Sequence, residues 1–177
     1  SERILGQALA GKRDQVVIAT KFGNVFDEAT RQIIGADASP EYIRRACEAS
    51  LRRLNTDYID LYQLHIGNYD LERAPVVRDA LEELVAEGKI RSYGWSTDDP
   101  DRARVFAQGP HCVAIQQRLN ILEGNEETLA VCEEYNLASV NRGPLGMGLL
   151  TGKFTPDSRL PEDDVRRTQG WDFRKGR

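Results

Sequence analysis

Apolar residues follow two different spacings along this chain, and the two spacings alternate. Residues 15–21 read QVVIATK, a short apolar run that predicts a buried strand ending in a charged lysine. Residues 40–54 instead repeat apolar side chains every three or four positions, which predicts a helix. Ser39 and Pro40 stand where a helix cap and a first helical residue are expected. The pattern therefore predicts strands and helices in turn.

The same two spacings continue along most of the chain. Further strands are predicted at 58–65, 90–97, 112–117 and 137–145. Further helices are predicted at 1–10, 74–87, 100–108 and 125–136. Strict alternation of this kind predicts a parallel sheet with helices outside it, either open or closed into a barrel. Five strands are too few to close an eight-stranded barrel, which typically takes about 250 residues.

The length and composition favour one domain over residues 1–177. With 40% apolar residues, a chain of this size can bury a substantial core. Residues 155–177 have no apolar period, and we expect a loop or a poorly ordered tail there. The polar stretch 22–38 is a predicted loop of about 17 residues, longer than an ordinary connection, and so a candidate functional loop.

The charge and the cysteines exclude several classes of function. A net charge of -4, without a block of basic residues, argues against nucleic-acid binding. No apolar stretch approaches the roughly 18 residues that span a bilayer, so no membrane contact is expected. Cys47, Cys112 and Cys132 are odd in number and lack CxxC spacing. They favour a reduced, cytoplasmic protein without a zinc site.

Polar side chains stand at the carboxyl ends of four predicted strands. Because strand side chains alternate between two faces, Lys21, His65, Ser96 and Gln116 each continue a face that is apolar or small earlier in its strand. Ligands bind at this end of the strands in α/β folds. If the strands are neighbours, the four residues converge on one site.

Each of these residues also has a purely structural interpretation. Lys21 could reach for water along its apolar stem, and His65 could be a hydrogen-bonded structural residue. Ser96 could cap the following turn, and Gln116 could satisfy a backbone group. Together, however, an ammonium and an imidazole suit a polarised oxygen, because one lowers the pKa of a nearby acid and the other donates to a carbonyl.

The last predicted strand runs into RGPLGMGLLTGK, which is rich in glycine. Gly143, Gly146 and Gly148 permit close approach of the backbone to a ligand, and Lys153 adds a positive charge. Phosphate binding is therefore a hypothesis for this segment. Its spacing is neither that of a GxxxxGK[ST] loop nor that of GxGxxG.

Six stretches of the chain resemble the aldo-keto reductases, in the order that this family has them. They are SERILGQAL, VVIATKFG, SPEYIRRACEASLRRLNTDYIDLYQLH, ALEELVAEGKIRSYGWST, AIQQRLN and GPLGMGLLTGKF. The resemblance covers most of residues 1–155. It implies a (β/α)8 TIM barrel, of which this chain would supply about five strands with their helices. It also implies an NADPH-dependent oxidoreductase.

The resemblance assigns expected roles to individual residues. Lys21 and His65 match the catalytic lysine and histidine, and Ser96 and Gln116 match residues that hold the nicotinamide carboxamide. Thr97 stands where the family usually has an asparagine for the same purpose. The remaining expected cofactor-binding residues lie in and after the last strand: Arg142, which would stack on the nicotinamide, and Pro144, Leu145, Gly146, Gly148, Leu149, Thr151 and Lys153, near the pyrophosphate.

The resemblance further implies that a small-molecule aldehyde or ketone is reduced, with NADPH as cofactor and NADH not excluded. The family's proton-donating tyrosine and its aspartate would precede Ser1, and the last barrel strand would follow Arg177. The alternative is a nicotinamide-binding regulatory or redox-sensor subunit resembling potassium-channel β-subunits. Those relatives tend to have asparagine in place of the histidine, so His65 favours the enzyme.

Overall fold

The computed structural model describes residues 1–27, 29–30, 32–155 and 157–168. These residues fall into two compact units. The first unit comprises Ser1–Gln117 and Glu126–Val140, and the second comprises Arg118–Asn125 and the described residues from Asn141 onward. The single domain predicted from the sequence stays a prediction.

Seven strands, five α-helices and three short 3-10 helices make up the regular structure of the described residues. The strands are β1 (Ala19–Phe22), β2 (Asn24–Phe26), β3 (Ile33–Ala36), β4 (Ile59–Leu64), β5 (Ile90–Ser96), β6 (Cys112–Arg118) and β7 (Ala138–Arg142). The helices are α1 (Glu2–Ala8), α2 (Pro40–Leu54), α3 (Ala74–Ala86), α4 (Pro100–Ala107) and α5 (Glu126–Glu134).

Two helix caps are present with their hydrogen bonds, and one of them is the cap predicted at Ser39. The Ser39 hydroxyl accepts from the Tyr42 N–H at 3.3 Å at the start of α2. The Asp99 carboxylate accepts from the backbone N–H groups of Asp101 and Arg102, at 2.9 and 3.1 Å, at the start of α4. These bonds fix where each helix leaves the strand before it.

Five of the strands form one sheet in the order β1-β4-β5-β6-β7. The pairs β1/β4, β4/β5 and β5/β6 are all parallel. Strands that follow one another in this sheet are joined through a helix, which is the connection that parallel strands require. The predicted parallel sheet of alternating strands and helices is therefore confirmed.

The core lies between the first unit's strands and the helices. Phe22 and Tyr62 stack on neighbouring strands with ring centroids 4.6 Å apart, and both are buried. Trp95 lies 4.6 Å from Phe106 of α4 and is fully buried. Aromatic pairs of this kind contribute both buried area and a preferred geometry. The sheet face that carries these rings is the face against the helices.

The first strand is shorter than predicted and begins later. Residues Arg13–Gln15 form a 3-10 helix, and strand pairing starts only at Ala19. The cause is Asp60, whose carboxylate accepts the Ile18 N–H at 2.9 Å and the Arg13 guanidinium at 2.6 Å. A side chain thus satisfies the backbone donor that a longer strand would have paired.

The predicted loop 22–38 is only partly a loop. It contains β2 and β3, which pair antiparallel with Asn24 opposite Ala36. Both hairpin strands are short, β3 is exposed and β2 is partly exposed, and the register shifts between Val25 and Phe26. Such short exposed segments carry no alternation of apolar and polar residues, so the sequence pattern missed them.

The predicted tail 155–177 also contains some regular structure. Val165–Thr168 form a 3-10 helix, and Arg166 stacks over Phe154 with 5.0 Å between the guanidinium carbon and the ring centroid. The loop or poorly ordered tail expected over 155–177 stays a prediction. The part of the predicted tail from 169 to 177 lies outside the described residues.

Replacement of Asp60 should lower the stability of the first unit. It is a buried carboxylate that accepts from Ile18, from Arg13 and from Arg91 at 2.9 Å. We expect Asp60→Asn to lower the free energy of unfolding of the whole protein by about 2–4 kcal/mol, because Arg13 loses its anionic partner. Urea denaturation measures this, and the exposed Asp57→Asn should change it by less than about 0.5 kcal/mol.

The contribution of Asp60 should depend on pH. Burial alone would raise the pKa of Asp60, but the bonds from Ile18 and Arg13 outweigh burial and hold the pKa below its ordinary value. The stabilisation is then present above the pKa of an unfolded aspartate and is lost as the pH falls through the folded-state pKa. The stability difference between the protein and Asp60→Asn should shrink on acidification, and a constant difference would contradict this.

Candidate functional site

Strand register brings the four polar residues to one edge of the sheet. Lys21 of β1 lies opposite Gln63 of β4, and Ser96 at the end of β5 lies opposite Gln116 of β6. His65 is the first residue after β4. In parallel strands these positions share an edge and a face. The structure thus brings together the residues that the sequence singled out in the first unit.

The sheet needs a glycine at the centre of this face. Gly94 lies opposite Gln63 on one side and Ala114 on the other. A Cβ atom at residue 94 would lie 2.2 Å from the carbonyl oxygen of Ala114, closer than any real contact. The absent side chain therefore allows β5 and β6 to approach and keeps the register of Ser96 and Gln116.

Lys21 lines an open groove of about 1000 Å³ that Phe26 also lines. A carboxylate of the same groove, that of Glu2, accepts from the Thr20 hydroxyl at 2.7 Å and from Arg53 at 2.6 Å. Burial would raise the pKa of Glu2, but the bonds from Thr20 and Arg53 outweigh it and hold the pKa below its ordinary value. The groove is thus lined by an exposed ammonium and by an anchored carboxylate.

The backbone at His65 is held from both neighbouring strands. Its N–H donates to the carbonyl of Phe22 at 2.8 Å. On the other side, the indole N–H of Trp95 donates to the carbonyl of Ile66 at 3.0 Å, and the Thr97 hydroxyl donates to the carbonyl of Gly67 at 2.8 Å. These bonds fix the direction in which the exposed imidazole leaves the strand.

Ser96 of β5, Gln116 of β6 and Thr97, directly after β5, differ in what their side chains can still bind. Ser96 is buried and Gln116 is half-buried, and within the described residues neither side chain makes a hydrogen bond. The hydroxyl of Thr97 instead donates to Gly67 and accepts from the Asp99 N–H at 3.2 Å. Because a hydroxyl has one proton, Thr97 has no second donor to offer a ligand.

Two functional candidates were missed when the sequence was read alone. Gln63 is buried on the face of Lys21, and its amide nitrogen has no hydrogen-bond partner among the described residues. The alternation that singles out Lys21 places Gln63 on the same face, so a signal existed. Asn24, whose side-chain nitrogen lies 3.2 Å from Nδ1 of His65, comes from the unpredicted hairpin and gave no signal.

The second unit contains the other expected cofactor-binding residues. After β7 ends at Arg142, Pro144 and Leu145 lead into a 3-10 helix, Gly146–Thr151, which includes Gly148 and Leu149. Met147 and the glycines at 146, 148 and 152 have positive φ angles, so the backbone turns sharply.

The end of this turn is closed by Thr151. Its hydroxyl donates to the carbonyl of Gly148 at 2.7 Å and accepts from the N–H of Lys153 at 3.3 Å. Lys153 itself is exposed. The segment is thus a compact turn with a cation at its exit, and its expected role toward a phosphate stays a prediction.

Thiol chemistry and metal chemistry have no support among the described residues. Burial raises the pKa of both Cys47 and Cys112 to about 12, so these free thiols stay un-ionised near neutral pH. No group of three or more His, Cys, Asp or Glu side chains in the described ranges could hold a metal ion. None of the helices in this part of the chain combines the length and apolarity that crossing a bilayer requires.

The arrangement suits a polar, uncharged substrate oxygen. Lys21 supplies a positive charge, His65 a ring that can donate a hydrogen bond, and Ser96 with Gln116 a hydroxyl and an amide on adjacent strands. A hydroxyl and an amide side by side can hold a planar amide group.

Comparisons with known proteins agree with this chemistry. The sequence profile of the Aldo/keto reductase family matches residues 1–172. An NADH-specific methylglyoxal reductase of Escherichia coli is 36% identical over 169 residues, with 89% of this chain and 52% of that protein covered.

Two solved structures extend the agreement to the fold. The glycerol dehydrogenase AKR11B4 of Gluconobacter oxydans is 34% identical, with a TM-score of 0.83 over 96% of this chain and 53% of that one. An aldo/keto reductase of Klebsiella pneumoniae in complex with NADP and acetate is 36% identical, with a TM-score of 0.67 over 89% and 53%. The predicted fold class, a TIM barrel of which this chain supplies five strands, is confirmed.

The chain spans about half the length of the curated relatives that it matches, since the alignments cover 50%, 52% and 50% of three of them. The activities of those complete proteins are therefore not assigned to this chain by the alignments alone.

The close approach at Gly94 can be tested by adding one methyl group. We expect Gly94→Ala to lower the free energy of unfolding of the whole protein by about 2 kcal/mol or more, because the new Cβ meets a backbone oxygen. Thermal or urea denaturation measures the change. The matched control is Gly35→Ala in β3, where nothing lies within 4 Å of the new atom. Equal effects of the two substitutions would contradict the argument.

Proposed function

Because this chain belongs to the aldo/keto reductase family, we propose that the whole protein reduces a small aldehyde or ketone to an alcohol with NADPH. The observation that carries the proposal is the strand register, which puts Lys21, His65, Ser96 and Gln116 at one edge of the sheet. NADH is the alternative cofactor, since the E. coli relative is described as NADH-specific.

The residues present fit a nicotinamide carboxamide. Ser96 and Gln116 lie opposite each other, and each side chain is without a hydrogen bond among the described residues. When bound, the cofactor supplies a hydride to the carbonyl carbon. The cofactor-binding roles of Arg142 and of the turn from Pro144 to Lys153 stay expectations from the family resemblance.

Lys21 and His65 are proposed to act on the oxygen of the substrate. The Lys21 ammonium favours the ionised form of a nearby acid and so lowers the pKa of the proton donor, a tyrosine that the family resemblance places before Ser1. The His65 ring donates a hydrogen bond to the carbonyl, which polarises the bond for attack. Ser96 and Gln116 hold the cofactor and do not touch the transferred proton.

We further propose that the protein acts in the cytoplasm as an enzyme. Its three free cysteines are all buried and unpaired by disulfides, which fits a reducing compartment. The competing candidate is a regulatory nicotinamide-binding subunit. His65 supports the enzyme, because only catalysis needs a donor to the carbonyl.

Removing either catalytic group should abolish most turnover. In the whole protein, we expect Lys21→Met and His65→Ala each to lower kcat at least about 100-fold with aldehyde substrates, because each removes a group that acts in the transition state. The dissociation constant of NADPH, measured by calorimetry, should stay nearly unchanged. The exposed Lys12→Met serves as control. Unchanged turnover in both variants, or no turnover by the protein with any aldehyde tested, would refute the proposal.

Removing the side chains that are proposed to contact the carboxamide should weaken the binding of NADPH. We expect Ser96→Ala and Gln116→Ala each to raise the dissociation constant of NADPH about 3- to 12-fold, the size expected for one lost hydrogen bond. Calorimetric titration of the whole protein measures this. Gln15→Ala, an exposed glutamine outside the sheet, is the control. Binding as tight as that of the control would exclude these two side chains from the site.

A further inference from the structure

The hairpin residue Asn24 makes a side-chain contact with His65, the proposed hydrogen-bond donor. We propose that Asn24 is a positioning residue, whose amide holds the proton of the neutral His65 ring on Nε2. This inference rests on the proposed function, because the position of that proton matters only if the ring donates to a substrate.

The atoms in contact decide the direction of the bond. The side-chain nitrogen of Asn24 lies 3.2 Å from Nδ1 of His65. In this orientation the Asn24 amide presents its NH2 group, which can donate but not accept, so Nδ1 is the acceptor. A neutral imidazole carries one proton, which is then on Nε2. The contact therefore selects one of the two neutral tautomers of His65.

The backbone of Asn24 is anchored, so its side chain is delivered to a fixed place. The Tyr42 hydroxyl, from the first turn of α2, donates to the Asn24 carbonyl at 2.9 Å. One residue earlier, the Gly23 carbonyl accepts from the Asp37 N–H at 2.8 Å. The pairing of Asn24 with Ala36 in the hairpin also anchors this backbone.

Gly23 makes this placement possible. Its φ angle of 114° lies in a region that favours glycine, and a Cβ there would meet the Ile66 side chain at 2.8 Å. The chain can therefore turn between Phe22, whose carbonyl binds the His65 N–H, and Asn24, which binds the His65 ring. Backbone and side chain of His65 are thus held by residues only two apart in sequence.

For the proposed reaction, the consequence is that the His65 ring already carries its donor N–H on Nε2 before the substrate binds. A ring with its proton on Nε2 presents an N–H to a carbonyl oxygen, whereas the other tautomer presents a lone pair, which repels that oxygen. A site that fixes the donor before the substrate binds needs no rearrangement during the reaction. Asn24 would thereby affect the rate more than substrate binding.

The test exchanges the donor at residue 24 for an acceptor of the same shape. In the whole protein, Asn24→Asp places a carboxylate against Nδ1, which then requires the proton. The matched control is Gln32→Glu, which makes the same amide-to-carboxylate change at an exposed residue of the same hairpin loop. Histidine-labelled protein is examined by nitrogen-15 NMR at about pH 9, where an ordinary imidazole is neutral. The His65 signals are assigned from the spectrum of His65→Ala.

We expect the unsubstituted protein to carry the His65 proton on Nε2 and Asn24→Asp to carry it on Nδ1. At the same pH, kcat of Asn24→Asp should fall at least about 10-fold with KM changed less than about 3-fold, because a donor to the developing oxyanion is lost. Gln32→Glu should keep both the tautomer and kcat.

Two results would overturn the inference. One is an unsubstituted protein with the proton on Nδ1, a measurement that does not depend on whether any variant folds. The other is unchanged kcat in Asn24→Asp while His65→Ala loses turnover. If His65→Ala keeps its turnover and the Nε2 tautomer is found, the assignment of the tautomer is supported and the proposed function fails instead.

Discussion

The hydrogen-bond register of the parallel strands is the constraint on which the site depends. A shift of one residue would turn every side chain of a strand to the opposite face. Lys21 and Gln63 face one another, and Ser96 and Gln116 face one another, only because β1, β4, β5 and β6 are paired as they are. The packing of aromatic rings on the other face holds this register, since a slip of one residue would turn those rings to the opposite face and break this packing.

Side-chain hydrogen bonds at the two ends of the strands then hold the backbone around the site. Asp60 and the guanidinium groups around it fix where β1 begins, at the end of the strands away from the site. Trp95 and Thr97 hold the backbone that follows His65, at the end where the site lies. The same sheet therefore uses one end for charge-assisted anchoring and the other for groups that remain accessible to a ligand.

Sequence reasoning succeeded where a physical rule acts over a few residues. The Ser39 cap, the alternation of strands and helices, and the faces that Lys21 and Gln116 take within their own strands all follow from local geometry. It failed where a residue far along the chain determines where an element begins. The late start of β1 depends on Asp60, about forty residues further along the chain, and no local pattern contains that bond.

By itself, the pattern of the sequence determined the alternation of strands and helices in the parallel sheet and which residues stand near the carboxyl ends of the strands, because these follow from periodicity and capping. The barrel was implied by the family resemblance. Only the tertiary structure decided how those residues are held. The bond between Asn24 and His65, and the buried amide nitrogen of Gln63 that has no partner among the described residues, arise from contacts between elements. Such contacts are set by packing across strands and not by spacing along the chain, and so only the folded chain shows them.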